Sequence, residues 1–279
     1  MKILSNQDKN TVQSFGDEWT RINQSSLQEK EKLEIFNDYF SIFPFDRINK
    51  TSVGFDMGCG SGRWATIIAP KVKKLYCIDA SLGAIKVAKE NLKMFDNVVY
   101  LASSVDETNL SKESFDFGYS LGVLHHLPNT LSAISSCSTL LKDGAPFLLY
   151  LYYAFDNKSK LYKLIWRLSE LIRSPVSKMP SRLKLFVTNL IAITVYFPMS
   201  RISLLIENIG LPVDNLPLSY YRDKSFYTMR TDSRDRFGTP LEKRFTKEAI
   251  KSMLESENFE NIYFSDHKPY WVVVANKKS

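Results

Sequence analysis

The feature that most constrains the fold is a glycine-dense turn directly after a strand-like run, in the segment VGFDMGCGSG from Val53 to Gly62. Glycine at 58, 60 and 62 permits positive φ angles and removes the Cβ atoms that would keep a ligand away from the main chain. A turn of this kind between a strand and a helix predicts a site for an adenosine-containing cofactor at the rim of a parallel sheet.

The glycine spacing excludes two common nucleotide sites. A dinucleotide fingerprint needs G-x-G-x-x-G, but Arg63 occupies the sixth position counted from Gly58. A P-loop needs a lysine and a hydroxyl residue, where this chain has Arg63 and Trp64. Asp79 ends the next strand-like run, LYCID, and its carboxylate could accept hydrogen bonds from both ribose hydroxyls. The alternative is that Asp79 only caps the helix that begins near Ser81.

Short apolar runs alternate with helical patterns between residues 51 and 153. The strand-like runs are VGFDM, LYCID, VVYLA, FDFGYSL and FLLYLYY, and the helical segments are RWATIIAPKV, LGAIKVAKENL and the stretch from Leu131 to Leu141. This alternation predicts an α/β, Rossmann-like, mostly parallel sheet with helices on both faces. A helix capped by Thr246 and the pieces NIYFS and YWVVVAN predict an antiparallel C-terminal hairpin that brings the sheet to seven strands.

Four regions follow from these patterns. Residues 1–48 are expected to form an N-terminal helical flap, in which Phe15 to Trp19 could cover the cofactor. Residues 49–153 form the cofactor-binding core, 154–242 an inserted helical lid for substrate, and 243–279 the helix and hairpin that complete the core.

Charge and cysteine content limit the partners. The 37 basic and 30 acidic residues leave a net charge of +7, which favours an anionic small-molecule substrate but does not by itself indicate a specific nucleic acid. Three cysteines without a CxxC pair argue against a disulfide framework or a cysteine-rich zinc site, so no metal is expected and a cytoplasmic location is predicted.

No membrane-spanning or secretory segment is expected. The start, MKILSNQDKNTVQSF, lacks the apolar region of a secretory signal. The apolar stretch from Leu183 to Phe197 is interrupted by Lys184 and Thr188 and is expected to stop at Pro198, too short and too polar to cross a bilayer.

Residues 51–152, and to a lesser degree 246–276, resemble the class I S-adenosylmethionine-dependent methyltransferases. The first motif of that family, hydrophobic-Asp/Glu-hydrophobic-Gly-x-Gly-x-Gly, is matched from Phe55 to Gly62. The resemblance implies S-adenosylmethionine as the cofactor, with Asp56 near its amino group and Asp79 on its ribose. The full set of cofactor-binding residues it implies is Asp56, Gly58, Cys59, Gly60, Gly62, Arg63, Asp79, Ala80, Ser104, Val105, Ser120 and Leu121.

Two further motifs refine the resemblance. After the third strand, the acidic residue that the family commonly has is replaced by Ser104, with Asp106 two residues on as a substitute. After the fourth strand, Leu124-His125-His126-Leu127-Pro128 is similar to the small-molecule branch of the family, whose quinone, sterol and sugar enzymes carry Leu-His-His-(Leu/Met)-Pro. The Asn/Asp-Pro-Pro-(Tyr/Phe) motif of nucleic-acid amino-methyltransferases is absent from the sequence.

His125 and His126 are the candidate catalytic residues, because a hydroxyl acceptor must lose its proton and a neutral imidazole is a suitable base near pH 7. The alternative is that they only bond loop carbonyls. An amine acceptor would need only orientation.

Substrate contacts are predicted for Tyr152 and Tyr153 after the fifth strand, and for Tyr220, Tyr221, Arg222, Tyr227 and Arg230 in the lid. The alternative for the lid residues is a solvated loop whose arginines pair with neighbouring aspartates. The sequence thus predicts methylation of a hydroxyl or amine of a small metabolite, with a sugar or sugar-containing precursor first. A quinone or lipid-like acceptor at the membrane surface and a non-catalytic cofactor-binding protein are the alternatives.

Overall fold

The computed structural model describes residues 5–24 and 26–279, so the first four residues of the predicted flap lie outside the described part of the chain. The chain divides into two compact units. The first comprises Met1–Ser25, Leu33–Ala154 and Leu241–Ser279, and the second comprises Ser26–Lys32 and Phe155–Pro240.

The first unit contains a seven-stranded sheet in the order β3-β2-β1-β4-β5-β7-β6. The strands are β1 Val53–Met57, β2 Lys74–Asp79, β3 Val98–Ala102, β4 Phe117–Leu121, β5 Pro146–Tyr150, β6 Phe259–Phe264 and β7 Val272–Lys277. The first five pair in parallel, while β7 runs antiparallel to both β5 and β6. The predicted α/β fold with an antiparallel C-terminal hairpin is confirmed.

Side chains alternate between the two faces of this sheet because successive residues of a strand point to opposite sides. In β5, Leu148 joins a cluster with Phe40, Trp64 and Leu75, whereas the next residue, Leu149, joins the opposite cluster. Both faces are therefore buried, which leaves the carboxyl ends of the parallel strands as the place for a ligand.

The helices of this unit are α1 Lys9–Arg21, the greater part of α2 Glu29–Phe40, α3 Ala65–Ile68, α4 Leu82–Asn91, α5 Thr130–Leu140 and α10 Lys247–Ser256. The predicted cap at Thr246 is confirmed, since its side chain accepts a hydrogen bond from the Ala249 N–H. The helix predicted after the glycine turn is shorter than expected. Pro70 cannot continue an α-helix, and a single 3₁₀ turn, Ala69–Lys71, follows α3.

The second unit is helical and contains α6 Lys160–Ser177, α7 Ser181–Ile191, α8 Phe197–Asn208 and α9 Phe226–Gly238. A π-helical turn, Ala192–Tyr196, joins α7 to α8, so one helical run extends from Ser181 to Asn208. By length and composition alone, this 28-residue run could cross a membrane.

The expectation that the apolar segment stops at Pro198 is therefore wrong. The Phe197 N–H bonds to the carbonyl of Ala192, five residues back, and this wider turn lets the helix continue past a residue that has no N–H of its own. The polar interruptions were also misjudged, because Lys184 and Thr188 are both buried within the unit.

Candidate active site

The glycine turn after β1 adopts the backbone that its sequence predicts. Gly58, Gly60 and Gly62 have φ angles of 82°, 53° and 75°. The N–H groups of Gly58 and Cys59 donate to the Ile78 carbonyl at 2.7 and 3.0 Å, which fastens the turn to β2. A Cβ on Gly58 would lie 2.4 Å from Val123, so a side chain there would meet both strain and a clash.

Asp79 connects the turn to the start of α4. Its carboxylate accepts the Gly60 N–H at 3.0 Å and the Ser81 N–H at 2.8 Å. Burial raises the pKa of this carboxyl, and the two backbone hydrogen bonds oppose the rise. The N-cap of α4 is Ser81 itself, whose side chain accepts from Ala84, so Asp79 does more than cap the helix.

Asp56, in β1, is a buried carboxyl whose charge its neighbours offset only in part. Burial raises its pKa to about 8, while Tyr119 and Arg63 lower it in part. Within the described residues, its Oδ2 atom has no hydrogen-bond partner. A buried acid in this state is stabilised by a cation, because an opposite charge offsets the cost of desolvation. The site therefore fits a cofactor that carries an ammonium group together with a ribose.

The other predicted cofactor residues lie at or beside the carboxyl ends of β1 to β4. The Ser104 hydroxyl donates to Asp106, the residue expected to substitute for the missing acid. The Ser120 hydroxyl donates to the Met57 carbonyl at 2.8 Å, and the Arg63 guanidinium stacks on Trp64 at 4.1 Å. Cys59, Gly62 and Val105 are buried, whereas Ala80 and Leu121 are partly exposed.

Helix α1 contacts the loops at this same edge of the sheet. A Cβ on Gly60 would lie 2.9 Å from the Trp19 ring, and the Phe15 ring is centred 4.9 Å from that of His126. Just before the helix, the Asn6 N–H donates to Asp106 at 2.8 Å. The sequence indicated that Phe15 and Trp19 could lie over the cofactor site. Nothing in it indicated the contact between Asn6 and Asp106.

The two histidines are both buried but present different tautomers. His126 Nδ1 lies 2.7 Å from the Leu241 carbonyl oxygen, which can only accept, so Nδ1 carries the proton and the Nε2 of the neutral ring carries the lone pair. His125 Nδ1 accepts the Tyr152 N–H at 3.4 Å, which puts its proton on Nε2. Burial, aided by the nearby His126 and Arg244, lowers the pKa of His125 well below its ordinary value.

The segment that returns from the second unit completes the surroundings of the histidines. Tyr152 stacks on His125 with ring centroids 3.9 Å apart, and Arg244 lies 5.1 Å over the Tyr152 ring. Arg244 also pairs with Glu242 at 2.8 Å. The sequence analysis missed Leu241, Glu242 and Arg244, since nothing in their residue types indicates that they lie beside histidines more than a hundred positions earlier.

The predicted substrate residues fall in separate units. Tyr152 and Tyr153 belong to the first unit, and the other five belong to the second. Arg222 forms a two-bond ion pair with Glu207 at 2.6 and 2.8 Å, and Arg230 donates to Asn189 at 3.1 Å. Tyr220, Tyr221 and Tyr227 are each partly exposed, and the rings of Tyr220 and Tyr221 meet edge to face.

Comparison with known proteins supports the interpretation of the first unit. Residues 55–149 match the family model described as a methyltransferase domain. A ubiquinone biosynthesis O-methyltransferase of Alkalilimnicola ehrlichii is 36% identical over 91 residues, which is 32% of this chain and 37% of that protein. A protein of Archaeoglobus fulgidus described as a probable cobalt-precorrin-6B C(15)-methyltransferase is 43% identical over 60 residues, or 22% of this chain and 36% of that protein. The chain thus spans less than half the length of these relatives.

Solved structures support the fold over a longer span. A SAM-dependent methyltransferase of Thermotoga maritima matches with a TM-score of 0.51 and 12% identity, covering 96% of this chain and all of that one. A Bacillus halodurans protein described as a candidate methyltransferase matches with a TM-score of 0.54 and 14% identity, covering 88% of this chain and all of that one. These likenesses concern the fold alone. The glycine turn, the family match and the methyltransferase relatives show that residues 55–149 belong to a class I methyltransferase domain whose cofactor is S-adenosylmethionine.

Proposed function

We propose that this protein transfers a methyl group from S-adenosylmethionine to a hydroxyl of a small acceptor, with His126 taking the proton. The observation that carries the proposal is the 2.7 Å contact between His126 Nδ1 and the Leu241 carbonyl, because it leaves the lone pair of the neutral ring on Nε2. His125 has the opposite tautomer and a pKa well below its ordinary value, which makes it a poor proton acceptor.

The glycine turn and two acids hold the cofactor in this proposal. Gly58 and Gly60 bring the main chain against it, Asp79 accepts from its ribose hydroxyls, and the unpartnered oxygen of Asp56 accepts from its ammonium group. When bound, S-adenosylmethionine would supply a methyl group on a positively charged sulfur. An acceptor oxygen would attack the methyl carbon in line and displace the sulfur. Holding two reactants in this geometry contributes about 7 to 11 kcal/mol to the lowering of a barrier.

His126 is the proton acceptor in this proposal. The acceptor hydroxyl would lose its proton to Nε2 of His126 as its oxygen takes the methyl group and the sulfur leaves. The Leu241 carbonyl continues to accept from Nδ1 and so stabilises the imidazolium that results. A positioned base of this kind contributes about 10²- to 10⁴-fold to a rate.

For the acceptor, we favour a phenol- or quinol-type hydroxyl on a lipid-like molecule over a sugar. The ubiquinone biosynthesis O-methyltransferase relatives support oxygen as the acceptor atom, and exposed apolar helices in the second unit support an apolar molecule. None of the relatives reported above is named for a sugar. The precorrin relatives are named for methylation of carbon, so the shared cofactor half does not by itself select the acceptor. The predicted cytoplasmic location remains a prediction.

Two measurements test this function. Titration calorimetry with S-adenosylmethionine and its demethylated product should show binding at one site, and loss of both signals would overturn the cofactor assignment. Transfer from methyl-labelled S-adenosylmethionine to a short-chain quinol, with a sugar hydroxyl in parallel, should label the quinol. Cofactor binding without labelled product from any acceptor in a cell extract would favour the non-catalytic alternative.

A further inference from the structure

In the helical run formed by α7 and α8, mostly polar residues face inward and large apolar residues face outward. A surface helix of an ordinary globular protein has the reverse arrangement. Its inward face carries Lys184, Thr188, Ala192, Tyr196, Ser200 and Ser203, all buried. Its outward face carries Leu183, Phe186, Leu190, Ile193, Phe197, Ile202, Leu205 and Ile209, whose exposed fractions range from 43% to 72%. Large apolar residues at spacings of three to five thus face away from the unit and are exposed.

Helix α6 repeats this arrangement. Leu161, Leu164, Ile165, Leu168, Leu171 and Ile172 recur at helical spacing and are 42% to 72% exposed. The opposite face of α6 holds the polar contacts, including Arg173 to the Thr239 carbonyl at 2.8 Å and the ion pair between Glu170 and Arg236. Among the described residues, sixteen of the twenty-one large apolar side chains that are exposed lie between 161 and 211.

Positive charge is concentrated on the same helices. Residues 155–211 contain nine lysines and arginines against three acidic residues, a net charge of +6, whereas the whole chain has a net charge of +7. Lys160, Arg167, Lys178 and Arg182 are exposed along α6 and at the start of α7. Exposed apolar side chains flanked by lysine and arginine match a surface of apolar chains beneath anionic phosphate groups.

Contacts with α9 argue against a helix that crosses the membrane. Lys184 Nζ donates to the Gly238 carbonyl at 2.9 Å, and Ser233 donates to the Thr188 carbonyl at 2.8 Å. Helix α9 also carries Arg230, Asp232, Arg234, Asp235 and Arg236. Crossing a bilayer would either draw these charges into the hydrocarbon or break the contacts, and both are costly. A helix that lies in the plane of the interface keeps them.

We propose that the outward faces of α6, α7 and α8 dock on the surface of an anionic phospholipid bilayer. The apolar side chains enter the boundary between headgroups and acyl chains, while the flanking lysines and arginines contact lipid phosphates. The docking requires no cofactor and no methyl acceptor, so an experiment can contradict it without contradicting the proposed reaction.

Co-sedimentation of the full chain with vesicles tests the proposal. The protein should bind vesicles of equal parts phosphatidylcholine and phosphatidylglycerol, and bind pure phosphatidylcholine vesicles at least about tenfold more weakly. Phe186→Glu with Leu190→Glu should lower binding to the anionic vesicles at least about tenfold. The control is Met94→Glu in the first unit, where an exposed apolar residue is likewise replaced by glutamate and binding should not be lost.

Other outcomes would overturn the proposal. Equal binding by the double variant and the unaltered protein would exclude this face, provided that circular dichroism and cofactor binding show both to be folded. A dimer that the double variant disrupts, detected by sedimentation equilibrium without lipid, would assign the face to a second copy of the chain. Resistance of the bound protein to extraction by alkaline carbonate would indicate a spanning helix instead.

Discussion

The Nδ1 atom of His126 lies 2.7 Å from the carbonyl oxygen of Leu241, and this contact distinguishes two histidines that are neighbours in sequence. Because the carbonyl can only accept, the contact selects the tautomer of His126. His125 is bonded through the same ring atom to a donor, the Tyr152 N–H, and has the other tautomer. The two histidines therefore carry their lone pairs on different ring nitrogens, and the lone pair of His125 already accepts a hydrogen bond. A general base needs its lone pair for the proton that it takes.

His126→Ala should lower methyl transfer to a hydroxyl acceptor at least about tenfold while leaving cofactor affinity unchanged, since the ring is proposed to act only on the acceptor proton. Single-turnover transfer and calorimetry measure the two quantities. The control is His267→Ala, the exposed third histidine, which should have no effect. An unchanged rate in the His126 variant would leave positioning as the whole mechanism.

Asp79→Asn should weaken binding of S-adenosylmethionine at least about tenfold, because hydrogen bonds to a charged group are worth about 1.5 to 3 kcal/mol each. The variant amide also brings N–H donors towards the N–H groups of Gly60 and Ser81, which both donate to Asp79. Calorimetry measures the dissociation constant. Asp96→Asn, at an exposed position, is the matched control, and equal affinities in the two variants would argue against a ribose contact.

Gly58→Ala should destabilise the protein more than Gly144→Ala. Both positions have a positive φ, 82° and 73°, so each substitution carries a backbone strain of about 1 to 2 kcal/mol. Only at Gly58 does a Cβ meet another residue, Val123, whereas a Cβ at Gly144 has no atom within 4 Å. Urea denaturation measures the difference, which overpacking should make about 1 to 3 kcal/mol. Equal losses would mean that Val123 moves aside without cost.

Asp56→Asn should stabilise the cofactor-free protein at alkaline pH and weaken cofactor binding. The folded-state pKa of about 8 lies above the ordinary value of 3.8, so the folded state holds the proton more tightly. Unfolding free energy of the unaltered protein should therefore fall as the pH rises from about 4 to about 8, and the variant should lack this fall. Thermal denaturation across that range tests the expectation, and parallel profiles for the two proteins would contradict it.

Cofactor binding should also release a proton from Asp56 near neutral pH, because the ammonium group favours the charged carboxylate. Calorimetry in buffers of different ionisation enthalpy measures the proton, and the Asn variant should release none from this site. An unaltered protein that binds the cofactor without release would show that Asp56 is already ionised.

Much of the first unit could be predicted because its signals are local. Closely spaced glycines directly after a strand permit positive φ angles, and Gly58, Gly60 and Gly62 adopt them. The alternation of short apolar runs with helical patterns leaves few topologies once crossovers are right-handed. The proximity of Asp79 to the glycine turn could be predicted for the same reason. The last residue of the second parallel strand comes close to the turn that follows the first strand.

For the apolar segment of the second unit, the predicted stop at Pro198 is wrong, and the composition of the stretch did not show which of its residues face inward. Lys184 and Thr188 made the segment look too polar to cross a bilayer, yet both are buried against α9. The helix also continues through Pro198, because a π-helical turn precedes it. Whether a proline ends a helix depends on the hydrogen bonds of the turn before it, and residue identity alone does not determine them.

The amino-acid sequence by itself determined the sheet, the glycine turn and the cofactor class, because backbone strain, side-chain periodicity and the absence of Cβ atoms act between residues that are close along the chain. Only the tertiary structure decided which ring nitrogen of His126 carries the proton and which face of α7 and α8 is exposed. The first depends on a main-chain carbonyl 115 positions away, and the second on packing against α9. Every residue carries such a carbonyl, so its effect on His126 appears only when folding brings the two together.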